Sequence, residues 1–161
     1  MKIGILTQPL HDNYGGLLQA YALKEVLKGM GHEVIIINRI NKSPLWRKYA
    51  SIAKSKILGR KLSPNILIKK SLLNEVSAQT RKFREKYFPE LSDEIIDQKG
   101  MERLNSMGFD AYVVGSDQCW RPRYSPSIRN YFLDFAVNDK QVKRISYAAS
   151  FGVSHWEFTE K

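Results

Sequence analysis

The first forty residues hold the feature that most restricts the fold: two apolar runs separated by an amphipathic segment. Residues 3–6 form a short apolar run, which is typical of a buried strand. Residues 17–30 place apolar side chains three and four positions apart, as an amphipathic helix does, and Gly31 can end that helix because it readily takes positive φ. Residues 33–38 have a β-branched, continuously apolar centre, as a strand covered on both faces does. This succession predicts a βαβ crossover with parallel strands and a right-handed connection.

The same alternation returns in the last third of the chain. A short helix, a buried strand and a further strand are predicted there, at residues 101–107, 111–115 and 144–149. Gly108 would end the helix, and a polar loop would occupy residues 116–130. We therefore predict an α/β fold of Rossmann-like type, in which a parallel sheet has flanking helices. The chain would form a single domain over 1–161, with its core in 1–39 and 100–155.

The intervening residues, about 40–99, have a different character. Between positions 39 and 86 the chain has fourteen basic and two acidic residues, a net charge of +12 in a chain whose total is +10. Residues 47–58 and 66–87 have a helical pattern, and Pro64 separates them. We predict a basic helical insertion between strands. Its charge suits an anionic partner such as a membrane surface, and an ordinary solvated helical face explains it equally well.

Composition limits the remaining classes. No apolar run is long enough to span a bilayer, the N-terminus lacks a signal-peptide pattern, and one cysteine permits no internal disulfide. These features point to the cytoplasm, and docking through residues 39–86 would place the protein at the inner face of the membrane. Nucleic acid is not an expected partner, because the aromatic residues of this segment have helical spacing and no recognition motif is present. No helix pattern follows the last predicted strand, so we expect a domain of a longer protein.

Ligands of open parallel sheets bind at the carboxyl ends of the strands. Three polar loops, 12–16, 115–120 and 150–152, follow predicted strands and should therefore converge on one edge. These loops and the adjoining helix provide the candidate substrate-binding residues, which are Asn13, Tyr14, Gly15, Gly16, Gln19, Gly115, Ser116, Asp117, Gln118, Trp120, Ser150 and Gly152.

Several of these residues have both a binding and a purely structural interpretation. Gly15 and Gly16 precede a helix, where backbone amides can approach an anion, yet a glycine pair there also makes a simple tight turn. Asn13 could cap the same helix. Asp117 could orient a sugar hydroxyl or cap a turn, and Trp120 offers a stacking face.

The catalytic residues cannot be assigned from the sequence. Cys119 could be a nucleophile, but no base lies near it in sequence, and a packing role is favoured. His11 and His155 fall beside the predicted site edge and could transfer protons, or they could be surface residues. The spacing of His and Cys residues predicts no metal site, and no cofactor is expected.

Three segments in this order resemble the polysaccharide pyruvyl transferase family. They are residues 13–23, residues 114–118 with Trp120, and residues 145–152. Residues 131–133 also fit a short segment that the family has between the last two. The position of Cys119 more often holds an aliphatic residue in the family, which again favours packing.

The resemblance implies a transferase that moves the pyruvyl group of phosphoenolpyruvate to sugar hydroxyls, with a cyclic ketal and phosphate as products. It also implies two Rossmann-like halves that face each other across a cleft, as in the GT-B glycosyltransferases. This chain would be the N-terminal half, and the C-terminal partner domain would supply most groups that handle phosphate and protons. The chain alone would then be inactive. Phosphoenolpyruvate and a sugar or polysaccharide acceptor, in cell-surface or exopolysaccharide biosynthesis, are the implied partners.

Two other functions remain open at this stage. A GT-B-type glycosyltransferase would have the same architecture and use a nucleotide-sugar as donor. A non-catalytic sugar-binding module would be stable without any turnover. The fold alone does not separate these functions from pyruvyl transfer.

Overall fold

A computed structural model of the chain describes residues 1–11, 13–41, 77–138 and 141–158. Most of the predicted basic insertion, including the helical pattern at 47–58, lies outside the described residues.

The described residues form an α/β fold around a four-stranded parallel sheet. Its strands are β1 (Lys2–Leu6), β2 (Glu33–Ile37), β3 (Ala111–Val114) and β4 (Lys143–Ser146), in the order β2-β1-β3-β4. The central β1 pairs Ile3 with Val34 on one side and with Ala111 on the other, and all pairings are parallel. The predicted parallel sheet with flanking helices is thus confirmed.

The first helix, α1 (Tyr14–Gly29), begins three residues before its predicted start. The reason is the side chain of Asn13, whose Oδ1 accepts a hydrogen bond from the Gly16 amide at 3.2 Å and so caps the first turn. At the other end Gly31 has φ +84°, which confirms its predicted role after the helix.

The strand predicted at residues 144–149 is shorter in the structure and shifted toward the N-terminus. β4 ends at Ser146, although the Tyr147 amide still donates to the Val114 carbonyl at 2.9 Å. Ala148 then takes φ +52°, which an extended strand cannot accommodate. The chain therefore turns away two residues after β4 and begins the loop that contains Ser150.

The segment before β3 packs against the sheet rather than standing apart from it. α2 (Ala78–Tyr87) is followed by the buried Phe88 and by short parallel bridges that pair Ile36 with Leu91 and Arg39 with Ile95. α3 (Gln98–Arg103) continues into a 3-10 turn, Leu104–Met107, so the helix predicted at 101–107 is α-helical only in its first part. Gly108, at φ +69°, ends it as predicted. Residues 88–95, which fall within the predicted insertion of about 40–99, extend the β2 edge through these bridges.

The core lies on both faces of the sheet because successive strand residues point to opposite sides. One face buries Ile5 and Ile36 against Leu17 of α1. The other buries Tyr112 among residues of α3 and of two 3-10 helices, Ile128–Phe132 and Asp134–Ala136. β4 is exposed along its whole length. Among the described residues, no helix has the length and apolar character needed to cross a bilayer.

Candidate functional site

The loops that follow β3 and β4 meet at the carboxyl edge of the sheet. The hydroxyl of Ser150 donates to Asp117 Oδ1 at 2.8 Å and accepts from the Gln118 amide at 3.1 Å. The Asp117 amide in turn donates to Oε1 of Gln19, on α1, at 3.2 Å. These bonds connect the loops 115–120 and 150–152 to each other and to α1. The remaining predicted loop, 12–16, leads into the N-terminus of α1, so all three predicted loops lie at this edge.

A cleft of about 700 Å³ opens between the start of α1 and the loop after β3. Seven of the predicted site residues line it: Asn13, Gly15, Gly16, Gln19, Ser116, Asp117 and Gln118. Its other lining residues are Gln8, Pro9, His11, Arg123 and Tyr124. The volume falls within the range of small-molecule sites, roughly 300–1,000 Å³.

Gln118 is fixed at the cleft wall by contacts from three directions. Its backbone has φ +56°, which is unfavourable for a residue with a side chain. Its carbonyl accepts a hydrogen bond from Gln8 Nε2 at 3.0 Å, and its Oε1 accepts one from Arg121 Nη1 at 3.0 Å. Together with the Ser150 contact, these bonds stabilise a backbone conformation that is strained for any residue other than glycine.

Two predicted site residues support the cleft without lining it. Ser150 holds Asp117 and Gln118 through its hydroxyl. Gly152, at φ +67°, packs so closely on Gln118 that a Cβ atom there would overlap the Cγ and Cδ atoms of that side chain. Their place in the structure is therefore behind the wall of the cleft.

The last three predicted residues lie elsewhere. Tyr14 is exposed on the first turn of α1, and Gly115 packs tightly inside, where a Cβ would be 2.9 Å from Leu23 Cδ2 and 3.1 Å from the Tyr147 carbonyl. Trp120 is turned away from the cleft, since its Nε1 donates to the Tyr131 carbonyl at 2.9 Å. The structure does not bring these three residues into the cleft lining.

Two charged side chains, Asp117 and Arg123, and the imidazole of His11 line the cleft. Asp117 and Arg123 are both exposed, and His11 lies at the rim near the loop after β1. The neighbouring Arg121 does not offer its charge to the cleft in the same way as Arg123. Its Nε and Nη2 instead bind the two carboxylate oxygens of Glu157 at 2.8 and 2.9 Å. This paired contact raises the pKa of Arg121 and lowers the pKa of Glu157. Within the ranges that the structure describes, no group of three or more His, Cys, Asp or Glu side chains could hold a metal ion.

A family model described as polysaccharide pyruvyl transferase matches residues 13–161. The chain belongs to the polysaccharide pyruvyl transferase family. Comparisons with curated proteins and with solved structures gave no significant match. The match starts at Asn13, the cap of α1, and it includes every cleft residue except Gln8, Pro9 and His11.

Cys119 of this pyruvyl transferase family member is a core residue. Its side chain is fully buried within the apolar cluster under β3, and burial raises the pKa of its thiol to about 11. A thiol that stays protonated and inaccessible is a poor nucleophile, so the packing interpretation is supported.

The two histidines expected beside the site separate in the structure. His11 lines the cleft, whereas His155 lies next to Glu157 at 3.4 Å and lines a second, smaller pocket. Only His11 can approach a ligand held by Asp117 and the start of α1.

Four lining residues were not predicted from the sequence: Gln8, Pro9, Arg123 and Tyr124. Gln8 and Pro9 follow β1 almost directly, so the strand-end rule that selected residues 115–120 would have selected them as well. Arg123 and Tyr124 lie in the polar loop predicted at 116–130, but nothing in their spacing indicates that the loop folds back over the cleft.

Proposed function

We propose that this chain forms one wall of an active site that transfers pyruvyl from phosphoenolpyruvate to a sugar hydroxyl of a cell-surface polysaccharide or glycoconjugate. The observation that carries the proposal is the cleft at the carboxyl edge of the sheet, most of whose lining falls within the family match. Clefts at this position are where open parallel sheets bind ligands.

The reaction needs two hydroxyls of one sugar and one phosphoenolpyruvate. The first hydroxyl oxygen bonds to C2 while the terminal carbon gains a proton and becomes a methyl group. The second hydroxyl oxygen then displaces phosphate from the same carbon and gives the cyclic ketal, while its proton passes to a base or to the phosphate that leaves. An acid must protonate the enol carbon, a base must take the hydroxyl proton, and cations must hold the phosphate.

The cleft residues provide part of this chemistry. The carboxylate of Asp117, held at one oxygen by Ser150, can accept a hydrogen bond from an acceptor hydroxyl and orient it. The start of α1, where Gly15 and Gly16 line the cleft, favours a negatively charged group through the helix dipole, and Arg123 adds a full positive charge to the same lining. We assign the donor phosphate to this end of the cleft.

We further propose that a second Rossmann-like domain faces this cleft in a GT-B-like arrangement. A phosphate that leaves with increasing negative charge is usually held by several cations. Among the described lining residues the cation is Arg123. The remaining cations, and the acid that protonates the enol carbon, would come from the facing domain, so the 161-residue chain alone should not turn over.

The test follows release of phosphate from phosphoenolpyruvate with a panel of sugar acceptors. The 161-residue chain and the product of its uninterrupted reading frame are assayed in parallel. We expect acceptor-dependent release from the longer protein alone. Turnover with nucleotide-sugars and none with phosphoenolpyruvate would instead make the protein a glycosyltransferase.

Two variants of the active form test the assigned roles. Asp117→Asn keeps the shape of the side chain and removes its charge, so we expect kcat to fall roughly 10²-fold or more if the carboxylate acts on the hydroxyl. Arg123→Ala should raise KM for phosphoenolpyruvate about tenfold or more, and Arg129→Ala, at an exposed arginine outside the cleft lining, is its control. Equal effects of the two arginine variants would remove Arg123 from the site.

We also propose contact with an anionic membrane at its inner face through residues 39–86. Within the described part of this segment, α2 presents the exposed basic residues Arg81, Lys82 and Lys86. Anionic lipid attracts such groups by about 1 kcal/mol each near the surface. Flotation with vesicles tests this, since equal binding to neutral and anionic vesicles would exclude electrostatic docking.

A further inference from the structure

Five aromatic side chains form a layered surface beside the cleft, which we call the aromatic platform: Trp120, Phe132, Phe151, Trp156 and Phe158. The ring of Trp156 packs on Phe158 at 4.8 Å between centroids, and Phe158 packs on Phe151 at 5.9 Å. Trp120 lies between Phe132, stacked at 5.4 Å, and Phe151, at 5.5 Å. The rings therefore support one another as a continuous layer.

The outer side of this layer faces solvent. Trp156 is 73% exposed, Phe132 48% and Phe151 38%. A pocket of about 340 Å³ lies along the platform, between the Trp156 segment and Arg121. Large aromatic rings held rigidly at a surface, with polar groups around them, are characteristic of binding sites.

The platform is connected to the cleft by a short series of charged and polar contacts. Arg121 binds the carboxylate of Glu157, the neighbour of Trp156, through two nitrogens and donates its third to Gln118 Oε1 at 3.0 Å. Gln118 lines the cleft. The guanidinium group of Arg121 thus joins the cleft wall to the platform, in addition to the backbone bond from the Trp120 amide to the Ser150 carbonyl at 3.1 Å.

The chemistry of the platform fits a sugar ring better than a purely apolar partner. A pyranose has a face of C–H groups that can lie flat on an aromatic ring, and hydroxyls at its edge that need hydrogen-bond partners. The pocket offers both kinds of contact, because Ser154, His155 and Glu157 line it together with Phe151 and Trp156. Its volume is at the small end of the range for small-molecule sites, about 300–1,000 Å³.

We propose that the aromatic platform binds one or two sugar units of the polysaccharide acceptor adjacent to the unit whose hydroxyls react in the cleft. The proposal rests on the proposed function for the identity of the ligand. It assigns to Trp156 a role in recognising chain length, which the residues of the cleft do not have.

The test compares binding of tetrasaccharides built from glucose, galactose or N-acetylglucosamine with binding of the corresponding methyl monosaccharides, by titration calorimetry. We expect the protein to bind at least one tetrasaccharide tenfold or more tightly than its methyl monosaccharide. Trp156→Ala should abolish that advantage, and Trp156→Phe should retain part of it. The control Tyr147→Ala removes another exposed aromatic side chain, 61% exposed and on the α1 side of the sheet, and should change nothing.

The outcomes separate this proposal from the proposed function. Pyruvyl transfer with an unchanged acceptor KM in Trp156→Ala would overturn the platform and leave the reaction standing. Tetrasaccharide binding that depends on Trp156, in a protein without phosphoenolpyruvate turnover, would support the platform and overturn the reaction. A Trp156→Ala protein that loses self-association while sugar binding is unchanged, or a wild-type protein that binds no tetrasaccharide, would also overturn the platform.

Discussion

Gly152 offers the sharpest test of how the cleft wall is built, because its substitution by alanine has two separable costs. The backbone has φ +67°, and an L-residue in the left-handed region costs roughly 1–2 kcal/mol. The new Cβ would also overlap the Gln118 side chain and lie 2.7 Å from its Oε1. Relieving that overlap costs about 1–3 kcal/mol in a well-packed site. We expect Gly152→Ala to lower the free energy of unfolding by about 2–5 kcal/mol.

Urea unfolding followed by circular dichroism measures this change, and a double mutant separates its parts. In a Gln118→Ala background the overlapping atoms beyond Cβ are gone, so only the backbone cost of about 1–2 kcal/mol should remain. Gly29→Ala is the control, because a Cβ there meets nothing within 4 Å and the residue lies in α1. That variant should be neutral or up to about 1 kcal/mol more stable.

Two results would refute the reasoning. One is a Gly152→Ala protein as stable as the wild type, which would mean that the loop after β4 can change its conformation freely. The other is an equal loss of unfolding free energy in the wild-type and Gln118→Ala backgrounds, which would show that the added methyl group does not clash with the Gln118 side chain. In either case Gly152 would not act through Gln118.

Three further predictions concern the cap of α1, the core cysteine and the ion pair between Lys28 of α1 and Glu90. Asn13→Ala removes the cap of α1 and should cost about 1 kcal/mol in the same urea assay; Asn13→Ser should restore most of it, and equal losses would argue against capping. Cys119 should resist iodoacetamide at pH 8 in the native protein and react after unfolding, since burial raises its pKa to about 11; rapid native labelling would contradict its burial. The hydrogen bond from Lys28 lowers the pKa of Glu90, so this pair should stabilise the fold above the unfolded carboxyl pKa near 4.5 and lose that effect as pH falls through the lower folded value. Thermal melts of Glu90→Gln should therefore differ from wild type at pH 7, and the difference should shrink as pH falls from 4.5 through the lowered folded pKa; a difference independent of pH would exclude the ion pair as its source.

Much of the fold could be predicted because its information is local. The strand, helix and strand of the first forty residues follow from apolar periodicity and from Gly31, and neither signal depends on distant residues. The bridges from Leu91 and Ile95 to the β2 edge were not predicted, because isolated bridges have no periodic pattern. The 3-10 helices at Ile128–Phe132 and Asp134–Ala136 were missed for the same reason.

The candidate site could be predicted only to the level of its loops. Parallel strands place their carboxyl ends on one edge of the sheet, and this rule alone predicts that Asp117, Gln118 and Ser150 lie close together, as they do. What each residue does there depends on contacts between positions far apart in the sequence. Trp120, in the same loop as Asp117, faces away from the cleft, and only its bond to the Tyr131 carbonyl reveals this.

The loops at the carboxyl edge contain residues in a backbone conformation that they disfavour. Gln118 follows β3 and Ala148 follows β4, and both have positive φ, which costs roughly 1–3 kcal/mol for a residue other than glycine. Such strain persists only where surrounding contacts determine the conformation, and for Gln118 those contacts come from Gln8, Ser150 and Arg121. Because Arg121 is also the group that holds Glu157, the shape of the cleft and the position of the aromatic platform depend on the same side chain. If the proposed platform binds acceptor units, their binding should therefore also alter the free energy of ordering the cleft wall through this shared side chain.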